Sequence, residues 1–125
     1  MTRRDLSDQH RDTVLLQSEK VYRGAIWDVS RERFDYNGEE LSRDFVDHPG
    51  AVSVVALNEH DEIMMIRQYR HAIRAIDWEI PAGLLDIPGE DPLVCAKREL
   101  LEEADLEATQ WKHLTRLNKV DISVG

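Results

Sequence analysis

Glu99, Glu102 and Glu103 lie in the run Arg98-Glu99-Leu100-Leu101-Glu102-Glu103. On a helix turning about 100° per residue, these three carboxylates share an arc of roughly 100°. Like charges ~4 Å apart repel by about 1 kcal/mol in water and by about 4 kcal/mol at an effective dielectric of ~20. A divalent cation removes that penalty, and hard carboxylate oxygens suit Mg²⁺ or Mn²⁺. Glu90 adds a fourth carboxylate ahead of the run, and Pro81-Ala82-Gly83 with Gly89 makes a loop whose backbone can approach a ligand closely. An acidic helix face turned to solvent is the ordinary explanation of an Arg/Glu/Leu run. Such a face has no use for the glycines or the fourth carboxylate. The segment therefore reads as a metal site built from one helix and the loop before it.

Other side chains complement this chemistry. Arg67-Gln68-Tyr69-Arg70 precedes the loop that leads to the carboxylates. The planar guanidinium fork matches phosphate oxygens, so a diphosphate held between metal and arginine is a sensible arrangement. Pairing of both arginines with surface carboxylates is the competing account. Trp27 offers a flat stacking surface for a purine, against a core role covering a sheet. Glu79, beside the loop, is a candidate for the ribose or adenine end of a ligand. Cys95, the single cysteine, falls within the helical run and reads as a small buried apolar residue rather than a nucleophile. His10, His48, His60, His71 and His113 show no ligand spacing and read as surface or loop residues.

These residues resemble the signature of the Nudix hydrolases, G-x5-E-x7-R-E-U-x-E-E-x-G-U with U aliphatic. Here Gly83, Glu90, Arg98-Glu99-Leu100, Glu102-Glu103 and Leu106 hold its order. Six residues rather than five separate Gly83 from Glu90, and Asp105 stands where the signature has glycine. Aspartate tolerates the left-handed cap conformation better than most residues. Arg67-Gln68-Tyr69-Arg70 followed by Trp78-Glu79-Ile80-Pro81-Ala82-Gly83 is similar to the ADP-ribose pyrophosphatase branch, its actinobacterial members above all, over most of residues 20 to 118. The resemblance implies Mg²⁺- or Mn²⁺-dependent hydrolysis of ADP-ribose, a small-molecule nucleotide substrate, to AMP and ribose 5-phosphate. It implies that Glu99 and Glu103 bind the principal metal and that Glu102 binds a second one. The Ala82 carbonyl would complete the shell, and Arg98, paired to Glu90, would brace the loop. It assigns substrate contact to Arg70 and by extension to Arg67. It makes Trp27 the adenine-stacking aromatic of an N-terminal unit exchanged across a homodimer. Two alternatives remain: a catalytically dead nucleotide-sugar-binding or regulatory fragment, and a hydrolase of another nucleotide sugar such as a GDP-sugar.

The elements that must position these residues follow from local patterns. Residues 1–12 are charged and aperiodic and read as a mobile tail. Thr13–Tyr22, Ala25–Tyr36 and Glu40–Asp47 read as strands of a small antiparallel unit spanning 13–48, with Asn37-Gly38 as a hairpin turn. His48-Pro49-Gly50 breaks the chain before a core of 49–125. In it, Ala51–Leu57 reads as a buried strand, Asn58–Glu62 as a turn and Ile63–Tyr69 as a strand. His71–Asp77 reads as loop and Trp78–Ile80 as a short strand. Asp91 as N-cap and Pro92 at the first position open a helix to about Ala104. Trp111–Asn118 reads as a strand. The fold class is α/β of the α+β type, a Nudix-like mixed sheet with one helix carrying the carboxylates. The resembled family has further chain, including a loop glutamate often assigned as general base, so the core is expected to be incomplete at its C-terminus, with an open sheet edge.

Composition bounds the rest. At 125 residues the chain has the length of one domain. A net charge of −9 and a pI near 4.9 argue against nucleic-acid partners and anionic membranes. No apolar run has the length of a membrane span, and the polar start lacks a signal peptide's apolar segment. The expectation is a soluble, cytoplasmic protein.

Overall fold

The computed structural model describes residues 6–117. Along the described chain run β1 (Val14–Arg23), β2 (Asp28–Tyr36), β3 (Glu39–Asp47), β4 (Ala51–Ser53), β5 (Ile66–Arg70), β6 (Ala75–Glu79), β7 (Ala82–Leu84) and α1 (Pro92–Ala104). Strands with one helix make the α+β arrangement expected, and the described strand pairings are antiparallel. The chain divides into two compact units, one ending at His48 and one spanning Pro49–Arg116. None of the described helices is long and apolar enough to cross a membrane.

The first unit is a meander in the order β1-β2-β3. Its β2–β3 turn is Asn37-Gly38, at φ 54° and 83°. Two successive positive φ values give the twist that a two-residue hairpin loop needs. The Gly38 N–H donates to Asp35 Oδ1 at 3.0 Å. The β1–β2 turn closes through Gly24 N–H to the Trp27 carbonyl at 2.9 Å. A Cβ on Gly24 would lie 2.2 Å from that carbonyl oxygen, so only glycine fits. Cross-strand ion pairs lock the register: Arg31 grips Asp44 at 2.7 and 2.9 Å, and Lys20 reaches Asp28 at 2.7 Å. Arg11 folds back onto the hairpin turn, its guanidinium 4.5 Å from the Tyr36 ring centroid and bonded to Asn37 Oδ1.

In the second unit, β4 pairs with β7, β5 pairs with β6, and α1 packs against β7 and β4. Val54, Ala96 and Leu100 form the core, with Val52, Ala56, Ala104, Leu106 and Trp111 around them. The Val54 N–H donates to the Pro81 carbonyl at 2.8 Å, which pins the β6–β7 joint to the segment after β4.

Several local expectations fail in this unit. The strand predicted over Ala51–Leu57 stops at Ser53, and Leu57 makes only an isolated bridge to Ile63. It is not buried throughout either, since Val55 is 44% and Leu57 59% exposed. A three-residue partner strand pairs it and a single helix covers it, so one pleat face stays open. His71–Asp77, predicted as loop, is a tight turn closed by Arg74 N–H to the His71 carbonyl, and β6 already begins at Ala75. Arg74 takes a positive φ of 51° there. Trp111–Leu117 forms no strand, and Asn118 lies outside the described residues. An alternating pattern becomes a strand only with a partner ladder, and among the described residues none pairs with it.

Candidate active site

The helix that carries the carboxylates is defined at both ends by its own sequence. Asp91 caps it, accepting the Leu93 N–H at 2.8 Å, and Pro92, which lacks an N–H to satisfy, opens it. Asp105 closes it in the left-handed conformation, φ 52° and ψ 41°, with its N–H on the Leu101 carbonyl at 3.0 Å. Aspartate thus does what the signature's glycine would do. The helix buries Cys95, Ala96 and Leu100. At 100° per residue, Glu99 and Glu103 fall within the arc spanned by Leu100, Ala96 and Cys95, and Glu102 lies just beyond its Cys95 end.

This face meets β7. The Ala82 N–H donates to Glu103 Oε2 at 3.1 Å. Glu99 packs so closely on Gly83 that a Cβ there would stand 2.1–2.4 Å from its carboxyl group. Gly83 was read from sequence as a loop residue; it is the middle residue of β7, paired with Val52. The close approach required of it is to a carboxylate of its own chain.

Arg98 ties the cluster together. It holds Glu90 through Nη2–Oε1 at 2.9 Å and Nε–Oε2 at 3.3 Å. Its Nη1 also donates to Glu99 Oε1 at 3.1 Å and Glu102 Oε2 at 3.4 Å, two bonds that the sequence did not signal. The Arg98 guanidinium holds Glu90 below the usual glutamate range and is itself raised by its carboxylate partners. Glu99 is pushed up, by burial first and then by the charges of Glu102 and Glu103 against the opposing pull of Arg98. Burial likewise raises the Cys95 thiol, which donates to the Leu84 carbonyl at 3.5 Å and fills space under the site as a small apolar residue does.

The donor set suits a hard divalent cation: three carboxylates on one helix face, close enough to perturb each other's charge. As folded, no three His, Cys, Asp or Glu side chains among the described residues converge on one point that could hold a metal ion. Arg98 draws Glu99 and Glu102 to one side, while the Ala82 amide holds Glu103. Residue type and placement therefore fit the cation, and taking it up requires the side chains to exchange their present partners.

The structure separates the two candidate arginines. Pleating puts Arg67 and Arg70 on opposite faces of the β5–β6 hairpin. The Arg67 guanidinium lies 5.2 Å from the centroid of the Trp78 ring. Arg70 grips Glu79 with Nε–Oε2 at 2.7 Å and Nη2–Oε1 at 2.5 Å, and the charges of Glu103 and Asp77 reach it. Asp77 escaped notice because its segment read as loop. Trp27, in the first unit, stacks on His48 at 4.7 Å with 19° between the rings. His48, read as a loop residue without a role, is thus the partner of the candidate stacking aromatic. Nothing local links positions so far apart in sequence.

A family model for the NUDIX domain matches residues 47–125. The chain is 41% identical over 108 residues to the ADP-ribose pyrophosphatase of Mycobacterium tuberculosis, covering 86% of this chain and 52% of that protein. It is 38% identical over 100 residues to the methanol dehydrogenase activator of Bacillus methanolicus, covering 79% and 54%. A solved structure described as an ADP compounds hydrolase superposes with a TM-score of 0.66 at 26% identity, covering 83% of this chain and 57% of its own. The chain spans about half the length of the curated relatives it matches. With the carboxylate helix clasped to Gly83 and braced by Arg98 and Glu90, and with the family model covering more than half of its length, the chain belongs to the NUDIX family.

Proposed function

We propose that this chain carries the catalytic face of a cytoplasmic Mg²⁺- or Mn²⁺-dependent hydrolase that cleaves the diphosphate of ADP-ribose, or of a related nucleoside diphosphate sugar, to AMP and ribose 5-phosphate. The observation that carries the reading is the short stretch from Glu79 to Ala82, which holds the Arg70 guanidinium at one end and Glu103 of the carboxylate helix at the other. A phosphate-matching cation beside a carboxylate helix is the arrangement that a diphosphate and its metal need. Glu99 and Glu103 would hold the principal ion, with the Ala82 carbonyl, and Glu102 a second one. Bound there, divalent cations neutralise diphosphate charge and lower the pKa of water. Arg98 and Glu90 keep the helix and the loop in register, and Arg70 orients the diphosphate. Arg67 supports the hairpin from the far face. Trp27 supplies the purine's stacking surface once His48 gives way. The homodimer belongs to the same reading: β1 is exposed along its whole length and is an edge strand of its sheet.

A second reading, a nucleotide-sugar-binding or regulatory fragment without turnover, is favoured by the carboxylates' failure to converge. One assay separates the two. Mg²⁺-dependent release of AMP from ADP-ribose supports the hydrolase. ADP-ribose binding without turnover supports the regulatory fragment, and turnover of a GDP-sugar alone moves the substrate.

A further inference from the structure

The Arg70–Glu79 pair has a geometry that simple charge neutralisation does not explain. In the β5–β6 ladder Arg70 faces Ala75 and Ile66 faces Glu79. Positions 66, 68, 70, 75, 77 and 79 share one face of the hairpin, and Arg70 and Glu79 sit at its opposite ends. Four register positions separate them, roughly 13 Å along the strands. Asp77, opposite Gln68, is the nearer carboxylate on that face. Arg70 passes it and grips Glu79 with two parallel hydrogen bonds. Its side chain therefore lies extended along the hairpin, in a conformation that costs rotamer entropy unless the far end is held.

Glu79 is itself well anchored. It ends β6, and the next two residues are Ile80 and the fully buried Pro81, whose carbonyl is bonded to Val54 N–H. Ala82 follows, with its N–H on Glu103. A short, proline-stiffened link thus connects the carboxylate holding Arg70 to the backbone amide holding the metal-face glutamate. The two bonds to Glu79 occupy Nε and Nη2 of Arg70, and Nη1 makes no hydrogen bond among the described residues.

We infer that Glu79 is a positioning residue: it holds the Arg70 guanidinium flat along the hairpin and leaves Nη1 as the donor offered to a substrate phosphate oxygen. This rests on the diphosphate-hydrolase reading, and it gives Glu79 a task other than direct contact with the sugar or base. Glu79 acts through Arg70, so the two residues form one functional unit.

The test has two arms on the full 125-residue chain. In the first, the Arg70 Nε–H resonance is followed by NMR without ligand. It exchanges slowly with solvent in the wild type, loses that protection in Glu79→Ala and keeps part of it in Glu79→Gln, whose amide oxygen still accepts one bond. In the second, ADP-ribose turnover with Mg²⁺ is measured. Glu79→Ala raises KM roughly tenfold, the worth of one charge-assisted hydrogen bond, and kcat stays within about threefold. Glu79→Gln recovers part of the loss, and Glu79→Ala adds nothing in an Arg70→Ala background. Additive effects, or Arg70 protection that survives in Glu79→Ala, overturn the inference. If the wild type shows no turnover, the hydrolase reading falls, and the exchange arm alone judges the Arg70–Glu79 unit.

Discussion

The backbone amide of Ala82 donates to the carboxylate of Glu103 across 21 residues of sequence, at 3.1 Å. This bond ties the helix to β7, beside the packing of Ala96 and Leu100. Its neighbour is the contact between Gly83 and Glu99, where backbone and carboxylate meet with no room for a methyl group. Together they place two glutamates of the proposed metal face on a strand only three residues long.

If those glutamates bind the ion, Glu99→Gln and Glu103→Gln each weaken Mg²⁺ binding at least ~10-fold in a calorimetric titration. Glu107→Gln, beyond the cluster, leaves it unchanged. Gly83→Ala drives a Cβ into Glu99, destabilises the fold by about 1–3 kcal/mol and weakens the ion as well. Equal losses in all three glutamine variants would end the assignment.

The helix C-cap offers a test free of the site's chemistry. Asp105 holds a left-handed conformation that costs a non-glycine residue roughly 1–2 kcal/mol, less for aspartate. Asp105→Gly relieves that strain and raises stability by about 0.5–1 kcal/mol in urea unfolding, after the larger entropy of glycine in the unfolded chain is subtracted. No gain, or a loss, would mean that the Asp105 side chain contributes more than its backbone costs.

Opposite pH dependences should separate Glu90 from Glu99. Arg98 holds Glu90 below the ordinary glutamate range. The stability from that pair is complete above the ordinary range and is lost as pH falls through the lowered value. Glu99 is raised by burial, so the fold favours its protonated form. That contribution is complete below the ordinary range and is lost as pH rises through the raised value. Without metal, Glu90→Gln therefore lowers Tm at neutral pH and not in acid, where the wild-type group is protonated too. Glu99→Gln raises Tm at neutral pH and changes little in acid. Melting curves from acid to neutral pH check both signs.

A nucleotide that stacks on the face of Trp27 covered by His48 replaces that ring. ADP-ribose then quenches tryptophan emission, Trp27→Ala abolishes the quench, and His48→Ala strengthens binding by removing the competitor ring. Trp78 and Trp111 need their own variants as controls. A quench that persists in Trp27→Ala would return Trp27 to a packing role with His48.

The sequence by itself determined what depends on neighbours along the chain. Asp91, Pro92 and Asp105 mark the helix because caps act within a turn. Asn37-Gly38 marks its hairpin because positive φ is a local property. The carboxylate face follows from the helical period alone. Only the tertiary structure decided what depends on distant partners. It made Gly83 a strand residue, because β4 arrives to pair with it. It denied Trp111–Leu117 a ladder and ended β4 at Ser53, because strands exist only in pairs. It sent Arg67 and Arg70 to opposite faces, since β6 starts at Ala75 and completes a hairpin that local pattern had read as loop. It chose Glu79 over Asp77 as the partner of Arg70 and gave Glu99 and Glu102 to Arg98. A charged side chain has several partners within reach, and the packed backbone selects among them.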